Sequence, residues 1–283
     1  MASNPLQLQR SFRSPVAAVW QRLTRPDLLQ GWLGVADFEI APGGAARIRS
    51  WNGDEWTGHV AAASPPVRLT MALRRFGLAG EQAVTWTLEG DGPGSRLTVI
   101  HEDIVAAEER AHARRYWREA LDALAAAVDR DEPGPEWGAT MPVVLRVPLG
   151  RPAAELWSLF ATPSGLQKWV ARVERFDGVQ GGEFRFLSSF QGREVIEEGR
   201  IEEIVPEARI RLAWEWRGEG WGAPTSVEFV LEQEAGGAAL LLIHSGFDLI
   251  AAGKAAGARR IYASGWAGVV RDLERLLAPS PTR

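Results

Sequence analysis

The sequence predicts an α+β protein made of two tandem domains. Each domain is expected to be a curved antiparallel sheet of about six to seven strands, wrapped around a long C-terminal helix, with two short helices after the first strand. Three observations predict this: an internal repeat, short β-type segments between Gly- and Pro-rich turns, and a long amphipathic segment that closes each repeat. The length of 283 residues suits two domains of ordinary size.

The internal repeat defines the domain organisation. Residues 14–33 and 151–170 align without gaps at an offset of 137, with proline and tryptophan at matching places. Further along the chain the offset grows in small steps to 141, 143 and 149, as insertions in loops would produce. The later matched pairs are Gly58/Gly199, Pro65/Pro206, Glu89/Glu232, His101/His244 and Trp117/Trp266. Because the order holds from end to end, we infer a duplication.

The two copies are joined by a segment rich in charged residues, Pro and Gly, a composition that ends a helix and is typical of a linker. We therefore predict a first domain at residues 1–129, a linker at 130–141 and a second domain at 142–283. We also expect the two domains to pack on each other as a pseudo-dimer.

The elements of each copy follow from apolar spacing and turn signals. An alternating apolar run predicts the first strand. Pro15 and Pro152 then mark the start of a short helix, which breaks near Pro26 or Pro163 before a second short helix. About six strand-length segments follow, so the sheet is expected to be an antiparallel meander. The stripes of the closing helices are Trp117, Leu121, Leu124 and Val128, and Tyr262, Trp266, Val269, Leu273 and Leu276.

The composition excludes several classes of function. A net charge of −4 gives no general attraction to nucleic acid or anionic membranes, and no apolar run has the length of a signal-peptide core or a membrane span. A cytoplasmic protein without membrane insertion is expected. There is no cysteine, and no pair of histidines has metal-ligand spacing, so neither a metal nor a cofactor is predicted. The 13 Trp against 2 Tyr suggest wide apolar walls.

The residues resemble a known superfamily. The order of elements, the opening pattern P…W…L…P…L..W and the strand ends LTVIHED and LLLIHSGF resemble the START and birch-pollen-allergen helix-grip superfamily. The closest resemblance is to polyketide cyclases and homologues of the heat-shock-protein-90 ATPase activator, which have an HSGF-type strand end and a GW…L..L helix. The second copy has both patterns, whereas the first has HEDI and Tyr116-Trp117 instead. The resemblance implies the fold, which hosts many functions.

A straight helix against a strongly curved sheet leaves a gap, where we expect the functional site. At the rim of such a pocket His101 or His244 could orient a carbonyl or act as a base; the alternative is a core histidine with a hydrogen-bond partner. Trp32 and Trp169 close the second short helix near the expected mouth, whereas Trp117 and Trp266 have core spacing. The predicted ligand-binding residues are Trp32, His101, Trp117, Trp169, Trp214, His244, Tyr262 and Trp266.

Two further features bear on the site. Glu197 and Glu198 are adjacent, but carboxylates on strands commonly point outward, so acid–base catalysis there is not favoured. Gly265 and Gly268 lie inside the last helix, where each costs about 1 kcal/mol relative to Ala. Close packing or space for a ligand above the helix would explain them.

Three functions are compatible with these features. The favoured one is binding of a small hydrophobic or aromatic molecule between the sheet and the C-terminal helix, without catalysis. The second copy is the expected binding copy because its family pattern is cleaner. The second function is a cyclase- or hydrolase-like enzyme with His101 or His244 as base. The third, implied by the resemblance, is a co-chaperone-like protein-interaction module. No nucleic-acid partner is expected.

Overall fold

The chain divides into two compact units, residues 1–141 and 142–283, which are described separately. The computed structural model describes residues 5–78, 80–104, 107–132, 138, 140–251 and 253–278. Within the predicted linker, residues 133–137 and 139 lie outside the described part of the chain. The linker boundaries of 130 and 141 therefore stay a prediction.

The first domain is a seven-stranded antiparallel sheet with three helices. Its strands are β1 (Leu6–Phe12), β2 (Gly34–Phe38), β3 (Ala45–Ser50), β4 (Glu55–Ser64), β5 (Arg68–Arg75), β6 (Gln82–Asp91) and β7 (Gly94–His101). Its helices are α1 (Val16–Thr24), α2 (Pro26–Leu29) and α3 (Ala107–Asp129). The strand order is β1-β7-β6-β5-β4-β3-β2, so the strands from β2 to β7 form a meander and β1 pairs with β7.

The second domain repeats this arrangement. Its strands are β8 (Val143–Pro148), β9 (Arg172–Phe176), β10 (Glu183–Phe190), β11 (Arg193–Val205), β12 (Arg209–Trp216), β13 (Thr225–Glu234) and β14 (Gly237–Ser245). Its helices are α4 (Ala153–Ala161), α5 (Pro163–Leu166) and α6 (Ala255–Leu277), with a 3-10 turn at Phe247–Leu249. The strand order is β8-β14-β13-β12-β11-β10-β9.

The predicted fold class is confirmed, and the same local signals produce both copies. Pro15 and Pro152 are the N-cap residues of α1 and α4. Pro26 and Pro163 stand in the first turn of α2 and α5, where the missing amide hydrogen removes no helical hydrogen bond. Each sheet curls into a half-barrel that holds the helices.

The long helix of the second domain buries one side. Tyr262, Trp266, Val270 and Leu273 are buried on α6. The predicted stripe is correct for three of its members, but it is wrong at its end, because Leu276 is 43% exposed. With 3.6 residues per turn, the stripe continues from residue 266 through 270 and 273 to 277, so position 276 is displaced toward solvent.

Candidate ligand-binding site

The second domain contains a cavity of about 410 Å³ between α6 and the sheet. Its walls come from α6, from strands β10, β11 and β12, and from the segment that follows α5. The floor includes the buried rings of Trp214, Trp216 and Trp266. The lining residues Gly265 and Ser189 are exposed, so the mouth of the cavity lies between the helix and the end of β10.

Helix α6 presents two neighbouring rows of residues to the cavity. Ile261, Gly265 and Val269 follow at intervals of four residues and lie on one face, with Tyr262 and Trp266 beside them. A Cβ atom at Gly265 would meet no atom within 4 Å. The absent side chain leaves the space above the helix open. Of the two reasons considered for a glycine here, close packing and space for a ligand, this geometry favours the second.

The polar group at the cavity floor is the carboxyl of Glu197 on β11. Its side chain is buried, and Ser188 on β10 donates a hydrogen bond of 2.6 Å to its Oε2. Burial raises the pKa of Glu197, and the nearby hydroxyls of Ser188 and Tyr262 oppose that shift. The carboxyl is held in place by its hydrogen bond from the neighbouring strand.

The expectation that Glu197 and Glu198 both point outward is wrong for Glu197. Successive side chains on a strand face opposite sides, so only one of the two can reach solvent. Glu198 is the outer one, accepting a hydrogen bond from Arg185 at 2.9 Å and pairing with Arg217 at 3.0 Å. The buried Ile201, four residues after Glu197 on the same face, is the sequence signal that could have placed Glu197 inside.

Tyr262 connects the carboxyl to the aromatic wall. Its hydroxyl accepts a hydrogen bond of 3.0 Å from Trp214 Nε1 and lies near the carboxyl of Glu197. Burial and, secondly, the charge of Glu197 keep the pKa of Tyr262 well above its usual value. The ring centroids of Trp214 and Trp266 are 5.5 Å apart. Three of the sequence-predicted residues, Trp214, Tyr262 and Trp266, therefore lie together in the cavity wall.

His244 lies behind this wall and does not line the cavity. Trp266 Nε1 donates a hydrogen bond of 2.9 Å to its Nδ1, and its Nε2 is 2.8 Å from Thr225 Oγ1. Because an indole only donates, the neutral ring carries its hydrogen on Nε2. Burial and, secondly, the charge of Arg259 hold the pKa of His244 well below its usual value. This geometry favours a core histidine over a general base.

His101 has the same arrangement in the first domain. Trp117 Nε1 donates a hydrogen bond of 3.1 Å to its Nδ1, and its Nε2 is 2.9 Å from Gln82 Oε1. Burial and, secondly, the charge of Arg75 lower the pKa of His101 to about 3. Gln82 matches Thr225 at the same offset of 143 that relates the histidines, so different partners hold the same tautomer.

The corresponding space of the first domain is filled. The void between α3 and the sheet measures about 10 Å³, which barely admits one water molecule. By the offsets of the repeat, Trp56 stands at the position of Glu197 and Tyr116 at the position of Gly265. The two rings pack edge to face with centroids 5.9 Å apart. An indole and a phenol therefore occupy the volume that is open in the second domain.

Trp32 and Trp169, expected near the mouth, do not line the cavity. Both are buried, and each donates its indole hydrogen to a carbonyl of the preceding helix. Trp32 bonds to Arg22 at 2.8 Å, and Trp169 bonds to Leu159 at 2.9 Å. Because these acceptors match at the offset of 137, both indoles fasten the second short helix to the first. The wall begins only at the next residue, Val170.

Two further kinds of feature concern the described ranges: clusters of metal ligands and membrane-spanning helices. Over these residues, no group of three or more His, Asp or Glu side chains is placed to hold a metal ion. None of the helices in the described part of the chain is long and apolar enough to cross a membrane.

A curled antiparallel sheet around one long helix, with a ligand-sized cavity between them, is the architecture of the helix-grip superfamily. The family model described as "activator of Hsp90 ATPase homolog 1-like protein" matches residues 13–129 and, a second time, residues 151–278. The chain belongs to this family and carries two copies of its domain. No curated protein sequence matches the chain.

Solved structures are similar to this chain at low sequence identity. The crystal structure of DynU16, a protein from the dynemicin biosynthetic locus, matches with a TM-score of 0.74 and 19% identity over 98% of this chain and 100% of that one. CalU16 from Micromonospora echinospora, in its solution NMR structure, matches with a TM-score of 0.42 and 24% identity over 46% of this chain and 69% of its own. The crystal structure of MLL2253 from Mesorhizobium loti matches with a TM-score of 0.42 and 23% identity over 46% of this chain and 99% of that one.

Proposed function

We propose that the second domain binds a small hydrophobic or aromatic molecule in the cavity between its sheet and α6. The observation that carries this proposal is the open volume of about 410 Å³, which falls within the usual range for small-molecule sites. Its walls are mostly aromatic and aliphatic, and Glu197, Ser188 and Tyr262 converge on one place in it. This combination of an apolar wall with a few convergent polar groups is typical of a binding pocket.

The apolar walls provide enough energy for a specific complex. A flat ligand that buries about 300 Å² of apolar surface gains roughly 7 kcal/mol from the hydrophobic effect. The loss of translational and rotational freedom reduces this gain, which leaves an affinity of the order of micromolar. Binding can therefore be measured with an apolar fluorescent probe.

The first domain is proposed to be a supporting copy that binds no ligand. Trp56 and Tyr116 fill the space that corresponds to the cavity, so a ligand would have to displace two packed rings. The alternative of a histidine-based enzyme has no support from the geometry, because both nitrogens of His101 and of His244 already have hydrogen-bond partners. The co-chaperone alternative rests on the family resemblance alone.

The experiment that tests this function closes the cavity with the residue that the first domain uses. In Gly265→Tyr, a phenol ring occupies the mouth, as Tyr116 does in the first domain. The matched control is Gly268→Tyr, because Gly268 is also a helix glycine with no atom within 4 Å of a built Cβ, but it does not line the cavity. The readout is energy transfer from tryptophan to 1-pyrenemethanol, since Trp214, Trp216 and Trp266 line the cavity.

We expect the wild-type protein and Gly268→Tyr to bind the probe with similar affinity. We expect Gly265→Tyr to bind the probe at least roughly tenfold more weakly, which corresponds to a loss of about 1.4 kcal/mol of binding free energy. Equal binding by all three proteins would place the probe elsewhere and contradict the proposal. Native mass spectrometry of the purified wild-type protein identifies any small molecule that it retains.

A further inference from the structure

Resting on the proposed binding function, we infer that the cavity of the second domain selects apolar molecules that carry a protonated amine. Glu197 supplies the countercharge for the amine, and the indole rings around it supply the apolar and cation-binding surface. Three features of the molecule support this selectivity: the charge balance of the cavity, its aromatic wall and its difference from the matched space of the first domain.

The charge balance of the cavity is one-sided. Among the described residues that line it, Glu197 is the charged one, and none is Lys, Arg or His. Ser188 donates a hydrogen bond to this carboxyl and the hydroxyl of Tyr262 lies near it, but neither brings a positive charge. A buried carboxylate without a positive partner is costly, so a cationic ligand group is stabilised here and an anionic one is repelled.

The aromatic wall suits the same ligand group. Indole rings attract a cation to their faces more strongly than other aromatic side chains do. Trp214 and Trp266 direct their N–H groups to Tyr262 and His244, so they offer the cavity their ring surfaces rather than donors. Trp216 lies opposite Glu197 on the neighbouring strand and adds a third indole. A carboxylate beside three indoles is the chemistry of an ammonium site.

The carboxyl of Glu197 differs both from the matched residue of the first domain and from the surface carboxyl beside it. Where the first domain is filled, the matched position holds the uncharged Trp56. On the same strand, the outward-facing Glu198 has two arginine partners, Arg185 and Arg217. Glu197 forms no ion pair among the described residues and faces the open cavity. The unpaired carboxylate therefore occurs where a ligand can reach it.

The test uses three probes with one aromatic body and different charges: 1-pyrenemethylamine, 1-pyrenemethanol and 1-pyrenecarboxylate. Each is titrated into wild-type protein, Glu197→Gln and Glu198→Gln near neutral pH, with energy transfer from tryptophan as the readout. Glu197→Gln keeps the shape of the side chain and one acceptor oxygen for Ser188 while removing its charge. Glu198→Gln is the matched control, because it makes the same change on the outer face of the same strand. Circular dichroism and thermal melting check the folding of both variants.

We expect wild-type protein to bind the amine at least roughly tenfold more tightly than the alcohol, with the carboxylate weakest. Glu197→Gln should lose this preference and bind the alcohol within about threefold of wild type. Glu198→Gln should behave as wild type. If Glu197→Gln does not fold, the relative affinities of the three probes for wild-type protein alone test the amine preference.

The possible outcomes distinguish ligand binding in the cavity from the preference for an amine. If the alcohol or the carboxylate binds as well as the amine, and Gly265→Tyr blocks that binding, the cavity binds ligands but the amine preference is wrong. An amine preference that survives in a folded Glu197→Gln also overturns the inference. If none of the three probes binds to wild-type protein, both the inference and the proposed function are contradicted.

Discussion

His101 and His244 each place both ring nitrogens in hydrogen bonds within a dense aromatic environment. In each, a tryptophan of the long helix donates to Nδ1, and a polar side chain of the neighbouring strand lies at Nε2. The arrangement stabilises the neutral ring, because protonation would set a second N–H group against the indole N–H. The histidines therefore connect the helix to the sheet in both domains.

This arrangement predicts a loss of stability in mild acid. The folded-state pKa of His244 lies well below its usual value, so the unfolded chain takes up a proton near pH 6.5 and the folded domain does not. The free energy of unfolding therefore falls as the pH falls. His244→Gln removes this titration, while its amide can still accept from Trp266 and donate to Thr225.

Between about pH 7.5 and about pH 5.5, the wild-type protein should lose about 1.4 kcal/mol more stability than His244→Gln. Denaturant unfolding at the two pH values measures this difference. Parallel losses in the two proteins would show that His244 is charged in the folded state or titrates normally.

At the scale of elements, two glycines allow neighbouring strands to approach closely. A Cβ at Gly199 on β11 would overlap the carbonyl oxygen of Ala213 on β12, and a Cβ at Gly58 on β4 would overlap that of Ala72 on β5. A few residues after each glycine the pairing register shifts, as in a β-bulge. Both copies therefore have glycine at this position, Gly58 and Gly199, because the neighbouring backbone leaves no room for a Cβ atom.

We predict that Gly199→Ala and Gly58→Ala each destabilise their domain by about 1–3 kcal/mol, because the paired strands must separate. The control is Gly90→Ala on β6, where a Cβ meets no atom within 4 Å; its effect should stay within about 0.5 kcal/mol. Thermal and denaturant unfolding measure all three. Equal stability of Gly199→Ala and Gly90→Ala would mean that the strands can move apart at little cost.

At the scale of the whole molecule, the duplication has produced two copies of one fold with different interiors. The difference between the filled and the open interior includes two matched positions, since Trp56 and Tyr116 stand where the second domain has Glu197 and Gly265. Under the proposed function, this division leaves the second copy to bind the ligand. The chain therefore combines two folded domains with one candidate site.

The sequence also predicts that the two domains pack on each other, with the linker covering part of the interface. Small-angle X-ray scattering of the full chain tests this prediction. A compact pair of 283 residues should give a radius of gyration of about 19 Å. A clearly larger radius with the profile of a flexible chain would reject the pseudo-dimer. The cytoplasmic location likewise stays a prediction.

Much of this architecture could be predicted from the sequence by itself. The repeat defines two domains, prolines at Pro15 and Pro26 place the short helices, and apolar spacing identifies the long ones. These signals are local, because each depends on residues a few positions apart. The same local patterns placed Tyr262 and Trp266 on the inner face of α6, where they line the cavity.

Only the tertiary structure decided which copy is open and which polar group lies in it. Glu197 and Glu198 look alike in the sequence, and their faces separate only when the register of β11 with β10 and β12 is known. The volume of the cavity depends on side chains from distant elements, such as Gly265 on the helix and Glu197 on the sheet. Packing between such elements depends on three-dimensional contacts, which no local sequence pattern records.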